Sequence, residues 1–134
     1  MTEKSLIKEE KMELELGAII NGFEAILSLA NLTGVKVMTA HKIARAYNQI
    51  RREVEKFEEY KDELRKEFAT LIEDKEKMTK RYDFGENMSK VDKMIKDKMM
   101  TKVSMSLATI SSSELEGVDV KPSTIADLDF LLVE

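Results

Sequence analysis

Residues 47–64 read YNQIRREVEKFEEYKDEL, a thin apolar stripe on a heavily charged helix. Tyr47, Ile50, Val54, Phe57, Lys61 and Leu64 recur at alternating steps of three and four, which places them on one helical face. The seam extends upstream through Ala40 and Ile43 and downstream through Phe68 and Leu71, and only Lys61 along it is not apolar. A repeat of this kind has coiled-coil character. From Arg51 to Arg81, ten basic and ten acidic residues interleave, as on a solvated helix carrying i,i+4 pairs. With Thr39 as N-cap and an end near Lys77, the spacing predicts a helix nearly 60 Å long at ~1.5 Å per residue.

What covers that stripe is the question the rest of the chain has to answer. Leu16, Ile20, Phe23, Leu27 and Ala30, with Ile19 and Ile26 widening the stripe, predict a first helix over about Glu13 to Asn31. Within it Gly17, Ala18, Gly22 and Ala25 would let another backbone approach closely, and Gly34 supplies a stop. The connection from Asn31 to Met38 is short, so the two helices form an antiparallel hairpin in which Ile20, Phe23 and Leu27 cover Ile43, Tyr47, Ile50 and Val54. The shorter helix cannot reach Phe57, Leu64, Phe68, Leu71 or Met78. RYDFGENMS, residues 81–89, breaks the long helix at Gly85, with Asn87 or Ser89 as cap, and Met88, Val91, Ile95 and Met99 predict a third helix. That helix either folds back over the distal stripe or leaves it for self-association. Six of the nine methionines cluster in this part of the chain, and thioether surfaces adapt to cores and partner grooves alike.

Beyond Lys102 the period changes to two: Val103, Met105 and Leu107 alternate with polar residues, a short strand. Ser111 and Glu114 stand at capping-box spacing. Pro122 and Ser123 open a terminal helix that puts Ile125, Leu128, Leu131 and Leu132 on one face. The expected fold is therefore mainly α, an antiparallel helical hairpin with one long helix, a third helix, and a short strand plus terminal helix. The 134 residues make one domain, with 1–11 frayed or loosely helical, 12–100 a helical body and 101–134 an acidic tail. Six acids against one base, Lys121, put residues 106–134 at −5, so the remainder of a chain with net charge −4 carries +1. Such a balance argues against a broad nucleic-acid footprint.

The stretch INGFEAILSLANLTGVKVMTAHKIARAYNQI, residues 20–50, with its first helix ending at Leu29-Ala30-Asn31 and a second beginning near Val37 that contains Ala40, Lys42 and Ile43, resembles a family of small phage and prophage proteins known only as domain of unknown function sixteen-seventeen. The tail LEGVDVKPSTIADLDFLLVE, residues 115–134, carries the same resemblance. The likeness covers most of the chain and implies a bacteriophage origin. It supplies no active-site residues.

With no cysteine, disulfides, thiolate metal sites and cysteine nucleophiles are excluded. Neither a signal-peptide run nor an apolar span is found, so a soluble protein made without export is expected, and the resemblance implies the host bacterial cytoplasm or alternatively the virion. The sole histidine, His41, lacks the partners a metal or catalytic role needs. Glu53, Glu55, Glu58, Glu59, Asp62 and Glu63 alternate with bases and read as a solvated face rather than a cation site. There is no phosphate-binding glycine loop, nucleophile elbow or HExxH, so no enzyme, cofactor or metal is expected. Lys42, Arg45, Arg51, Arg52 and Lys56 form a short basic strip, the basis of a weaker nucleic-acid alternative. ADLDFLL, residues 126–132, loosely resembles peptides that dock on bacterial sliding clamps, but Asp127 stands where Gln is usual and packing on the core is the preferred reading. The expected function is protein–protein interaction with a host or defence protein inside the cell; the alternative is a virion or assembly component. A homo-oligomer is compatible with either. Candidate interaction residues are Phe57, Leu64, Phe68, Leu71 and Met94 on the distal stripe and its cover, and Asp127, Asp129 and Phe130 in the tail.

Overall fold

Residues 8–134 are described by a computed structural model. In chain order it contains β1 (Glu10–Glu15), α1 (Leu16–Asn21), α2 (Phe23–Ala30), α3 (Val37–Phe68), β2 (Thr70–Asp74), β3 (Thr79–Asp83), α4 (Met88–Met99), β4 (Lys102–Leu107), β5 (Ile110–Ser111), α5 (Pro122–Asp127) and β6 (Leu132–Val133). Short 3₁₀ turns at Gly85–Asn87 and Ser112–Leu115 precede α4 and follow β5. Of the described residues 56% are helical and 20% are strand, in three small sheets. This is a mixed α/β fold and corrects the mainly α expectation, although the long helix exists.

Three errors of period account for the difference. In KMELEL, Met12 and Leu14 alternate with Lys11, Glu13 and Glu15, a period of two that makes β1 rather than the start of a helix. It pairs antiparallel with β4, setting Met12 opposite Met105 and Leu14 opposite Val103. Of the N-terminal segment expected to fray, residues 1–7 lie outside the described residues, while Glu10 and Lys11 belong to this strand. Second, α3 ends at Phe68 rather than near Lys77. There Thr70, Leu71 and Ile72 favour extended backbone, and β2 pairs with β3, Leu71 facing Tyr82. Third, α5 stops at Asp127, and Leu132 and Val133 form β6, parallel to β5.

At the proximal end the helical hairpin is present. Ile19, Ile26 and Leu29 pack with Ile43, Ala46 and Ile50 in one buried cluster. The face of the first helix is rotated from the expected one, since Leu27 is 40% exposed and Ile20 only partly buried. Phe23 does stack on Tyr47, ring centroids 6.1 Å apart at 18°. The rotation follows from a second layer. Met105, Leu107, Ile110, Leu128 and Leu131 join the same cluster, so α1 and α2 are covered by the C-terminal segment as well as by α3. Gly22 permits it: a Cβ there would meet Leu128 Cδ2 at 3.2 Å and Asp127 O at 3.3 Å. Gly17 does the same for α4, with Met99 O 3.3 Å from where its Cβ would stand.

α4 folds back over the distal half of α3, one of the two arrangements the sequence leaves open. The Tyr60 hydroxyl donates to Met94 O at 3.5 Å. Lys98 lies over the Tyr60 ring and Lys90 over Phe68, at 5.2 and 4.8 Å. Asn87 stands at the N-cap of α4 but makes no side-chain cap bond to it; its side-chain amide donates to Phe68 O at 3.1 Å and satisfies the C-terminal end of α3 instead.

Candidate functional site

Phe57 and Leu64 are 6% and 3% exposed, and Val91 of α4 is 1% exposed. These three belong to a small distal core apart from the main cluster. Leu64 is therefore core rather than contact surface, and Phe57 shows only a small part of itself, in a cavity of about 300 Å³ shared with Leu16, Tyr60 and Lys98. Phe68 and Met94 are partly buried, and Leu71, moved from the helical seam onto β2, is exposed.

The β2–β3 hairpin is the most open element. Every residue of β3 is exposed, and among the described residues no third strand pairs with the hairpin. An isolated two-stranded hairpin is marginal in water. It presents Leu71 at 46%, Tyr82 at 49% and Met78 at 91% exposure, with Arg65 of α3 over the Tyr82 ring. Asp74 Oδ1 accepts from the backbone N–H groups of Glu76 and Lys77 at 3.1 and 3.2 Å, which fixes the tip. Met78 closes the turn at φ 52°, a left-handed conformation uncommon for a residue other than Gly, Asn or Asp.

The second surface is a groove of about 400 Å³ at the opposite end, between the Ser112–Val120 segment, α5 and β6. Leu115, Val118, Val120, Ile125 and Val133 give it an apolar lining, and Asp129 and Glu134 stand on its wall. Asp127 and Asp129 are exposed and Phe130 is half-buried against the core. Because Leu128 and Leu131 are fully buried, ADLDFLL is integrated into the fold rather than displayed as a docking peptide. The groove's lining comes from LEGVDV and from Ile125, which the helical spacing puts on one face with Leu128 and Leu131 but which lies 50% exposed, apart from them. The visible signal was the spacing of Leu115, Val118 and Val120.

A polar clasp secures this end. Lys42 Nζ donates to Glu114 Oε1 at 2.6 Å and to Thr109 O at 3.4 Å, and the Ser111 N–H donates to Glu114 Oε2 at 2.8 Å. The Ser111/Glu114 capping box is formed as expected. Burial raises the Glu114 carboxyl, but the hydrogen bonds from Lys42 and Ser111 and the Lys42 charge together outweigh it and hold the pKa below its ordinary value.

The basic strip is largely engaged by acids. Lys42 is paired with Glu114, Arg45 with Glu9, Arg51 with Glu55 and Lys56 with Glu53, while Arg52 is exposed. Glu58 and Asp62 likewise pair with Lys61 and Arg65. His41 is exposed on α3. Among the described residues no group of three or more His, Cys, Asp or Glu is placed to hold a metal ion, and no helix is long and apolar enough to cross a membrane. No protein-family model matches the chain, and neither curated proteins nor solved structures provide a match.

Proposed function

We propose that this is a phage-encoded, non-enzymatic protein-binding protein that engages a host or defence protein inside the bacterial cell, with the β2–β3 hairpin as its principal contact. The phage setting rests on the sequence resemblance carried by residues 20–50 and 115–134. The binding reading rests on one observation, the open hairpin at the far end of a 32-residue helix. Leu71 and Tyr82, paired near the base of the hairpin, and Met78 at its tip are apolar or aromatic and exposed, on an element that no third strand joins among the described residues. Strand edges and exposed apolar groups of this kind recruit other chains.

The test is a pulldown from infected cells with the wild-type chain and with a Leu71→Ser/Tyr82→Ser double variant. A host protein captured by the first and lost with the second supports the reading. Capture that is indifferent to both changes removes the hairpin from it. Stoichiometric presence of the protein in purified particles removes the intracellular setting in favour of a virion component.

A further inference from the structure

Every residue of β3 is exposed, whereas Ile72 and Asp74 of β2 are partly buried, so the outer edge of β3 is the open side of the hairpin. Among the described residues no strand meets it, which leaves its backbone groups as a template for another extended chain.

The side chains of β3 alternate between two faces. Tyr82 shares one with Leu71, its cross-strand partner, and with the Lys80–Glu73 ion pair. Arg81 and Asp83 stand on the other, opposite Ile72 and Thr70. Among the described residues neither Arg81 nor Asp83 has an ion-pair partner, and Asp83 Oδ1 accepts from the Gly85 N–H at 2.9 Å.

Charged edge strands ordinarily resist pairing. Here, however, the two unpaired charges are of opposite sign and flank Tyr82 symmetrically. An antiparallel pairing of two β3 strands centred on Tyr82 therefore sets Arg81 of each copy opposite Asp83 of the other, and Tyr82 opposite Tyr82. Lys80, already held by Glu73, falls opposite Phe84, so no like charges stand directly opposite each other. Pairings centred on Lys80, Arg81 or Asp83 each set two like charges face to face, which is destabilising. A slip by a single residue turns the second Tyr82 to the opposite face. In the Tyr82-centred register one face carries a continuous row of Leu71, Tyr82, Tyr82 and Leu71, while the other carries two Arg81–Asp83 pairs. Three or more strands sharing an apolar face reach a stability that an isolated hairpin lacks. The same register carries the tip of each hairpin, with Met78, toward the Gly85–Asn87 turn of the other copy, beside which Met88 is exposed.

We propose that β3 pairs antiparallel with β3 of a second copy of this chain across a two-fold axis at Tyr82, giving an isologous dimer joined by a four-stranded sheet. The contact spans one short strand per chain, below ~1,200 Å², so dimerisation is weak and reversible. It uses the edge of the hairpin and leaves the face of Leu71 and Tyr82 open. Dimerisation is thus an addition to the capture of another protein and separable from it.

Sedimentation velocity on the full chain tests this. Over roughly 10 μM to 1 mM, the range suited to a small interface, the wild type should pass from monomer to dimer and to nothing larger. Arg81→Asp should remain a monomer, since carboxylates then oppose each other at two places. Asp83→Arg should do the same through its guanidinium groups, and thermal melts verify that both variants are folded. An equimolar mixture of the two should dimerise, and so should the double variant Arg81→Asp/Asp83→Arg, because each restores opposite charges across the axis. A wild type that stays monomeric overturns the proposal. So does a dimer indifferent to Arg81→Asp, or a mixture that stays monomeric while the wild type dimerises, either of which puts the contact elsewhere. Species larger than a dimer also overturn it, since they mean that β3 joins the β2 edge of the next copy. If dimerisation is absent while Leu71 and Tyr82 still govern capture in the pulldown, this inference falls and the reading of the hairpin as a protein-binding element stands. Charge-dependent dimerisation with capture indifferent to Leu71→Ser/Tyr82→Ser gives the reverse.

Discussion

Lys42 and Glu114, 72 positions apart in sequence, meet at 2.6 Å with side chains only 17% and 26% exposed. The pair joins the second turn of α3 to the turn that frames the C-terminal groove. Since Glu114 has a folded pKa depressed below its ordinary 4.5, its contribution to stability is complete above that value and disappears as pH falls through the folded pKa. Thermal melts across the acid range should show the wild type losing more stability than Glu114→Gln, with the two curves converging at the acid end. Parallel curves would mean that the carboxylate contributes nothing through its charge.

Ile50 is fully buried in the main cluster. Ile50→Ala should cost roughly 2 to 5 kcal/mol, the loss for a core side chain whose cavity cannot close. Denaturant unfolding checks this, with the midpoint lowered and the slope unchanged.

Leu64→Glu places a charge at a site that is 3% exposed beneath α4. From sequence alone this change is expected to weaken association; the buried position makes it a lesion of the distal core instead. Because Leu64 lies outside the main cluster, the loss should be local. Hydrogen exchange should accelerate over residues 57–99 while β1, β4 and α2 remain protected. Uniform loss of protection would show that the two cores unfold as one.

Met78→Asn should stabilise the hairpin by up to ~1 kcal/mol, since Asn tolerates the left-handed region that Met occupies at a cost. Amide exchange in β2 and β3 should slow. Faster exchange would mean that the methionine side chain holds the tip in place.

Duplex DNA should not bind more tightly than about 10 μM at physiological salt, because few phosphate contacts remain once the basic strip is neutralised by its own acids. Tighter, salt-sensitive binding abolished by changing Arg51 and Arg52 to Glu contradicts this.

Helix-forming periodicity was legible wherever a long run sustained it. The seam from Ile43 to Leu64, α4, the Ser111 capping box and the start at Pro122 all followed from local pattern, whereas the break of the long helix, expected at Gly85, falls at Phe68. The close approaches at Gly17 and Gly22 were also legible, because a small residue on an otherwise bulky helix leaves room for a backbone. What failed were short strands attached to helices. Leu16 satisfies both the period of β1 and that of α1, and Leu71 satisfies both the seam of α3 and the alternation of β2, so neither boundary could be placed from one residue's periodicity. The face of α1 and α2 was misjudged for a different reason: Leu128 and Leu131 compete with α3 for it, and contacts across that sequence separation leave no local trace. The groove was missed with them, since its lining depends on where α5 stops.

The pairing of β1 with β4 has a temporal meaning. Glu10 meets Leu107 and Glu15 meets Lys102, so a loop of roughly 90 residues has to close before either strand gains a neighbour, at an entropic cost that precedes any reward. During synthesis α1, α2 and the first half of α3 therefore emerge with Ile19, Ile26 and Leu29 only partly covered, and they remain so until Leu128 and Leu131 leave the ribosome. A nascent chain halted anywhere before that point exposes apolar surface, which makes Leu128 and Leu131 the residues that complete the cover of α1 and α2.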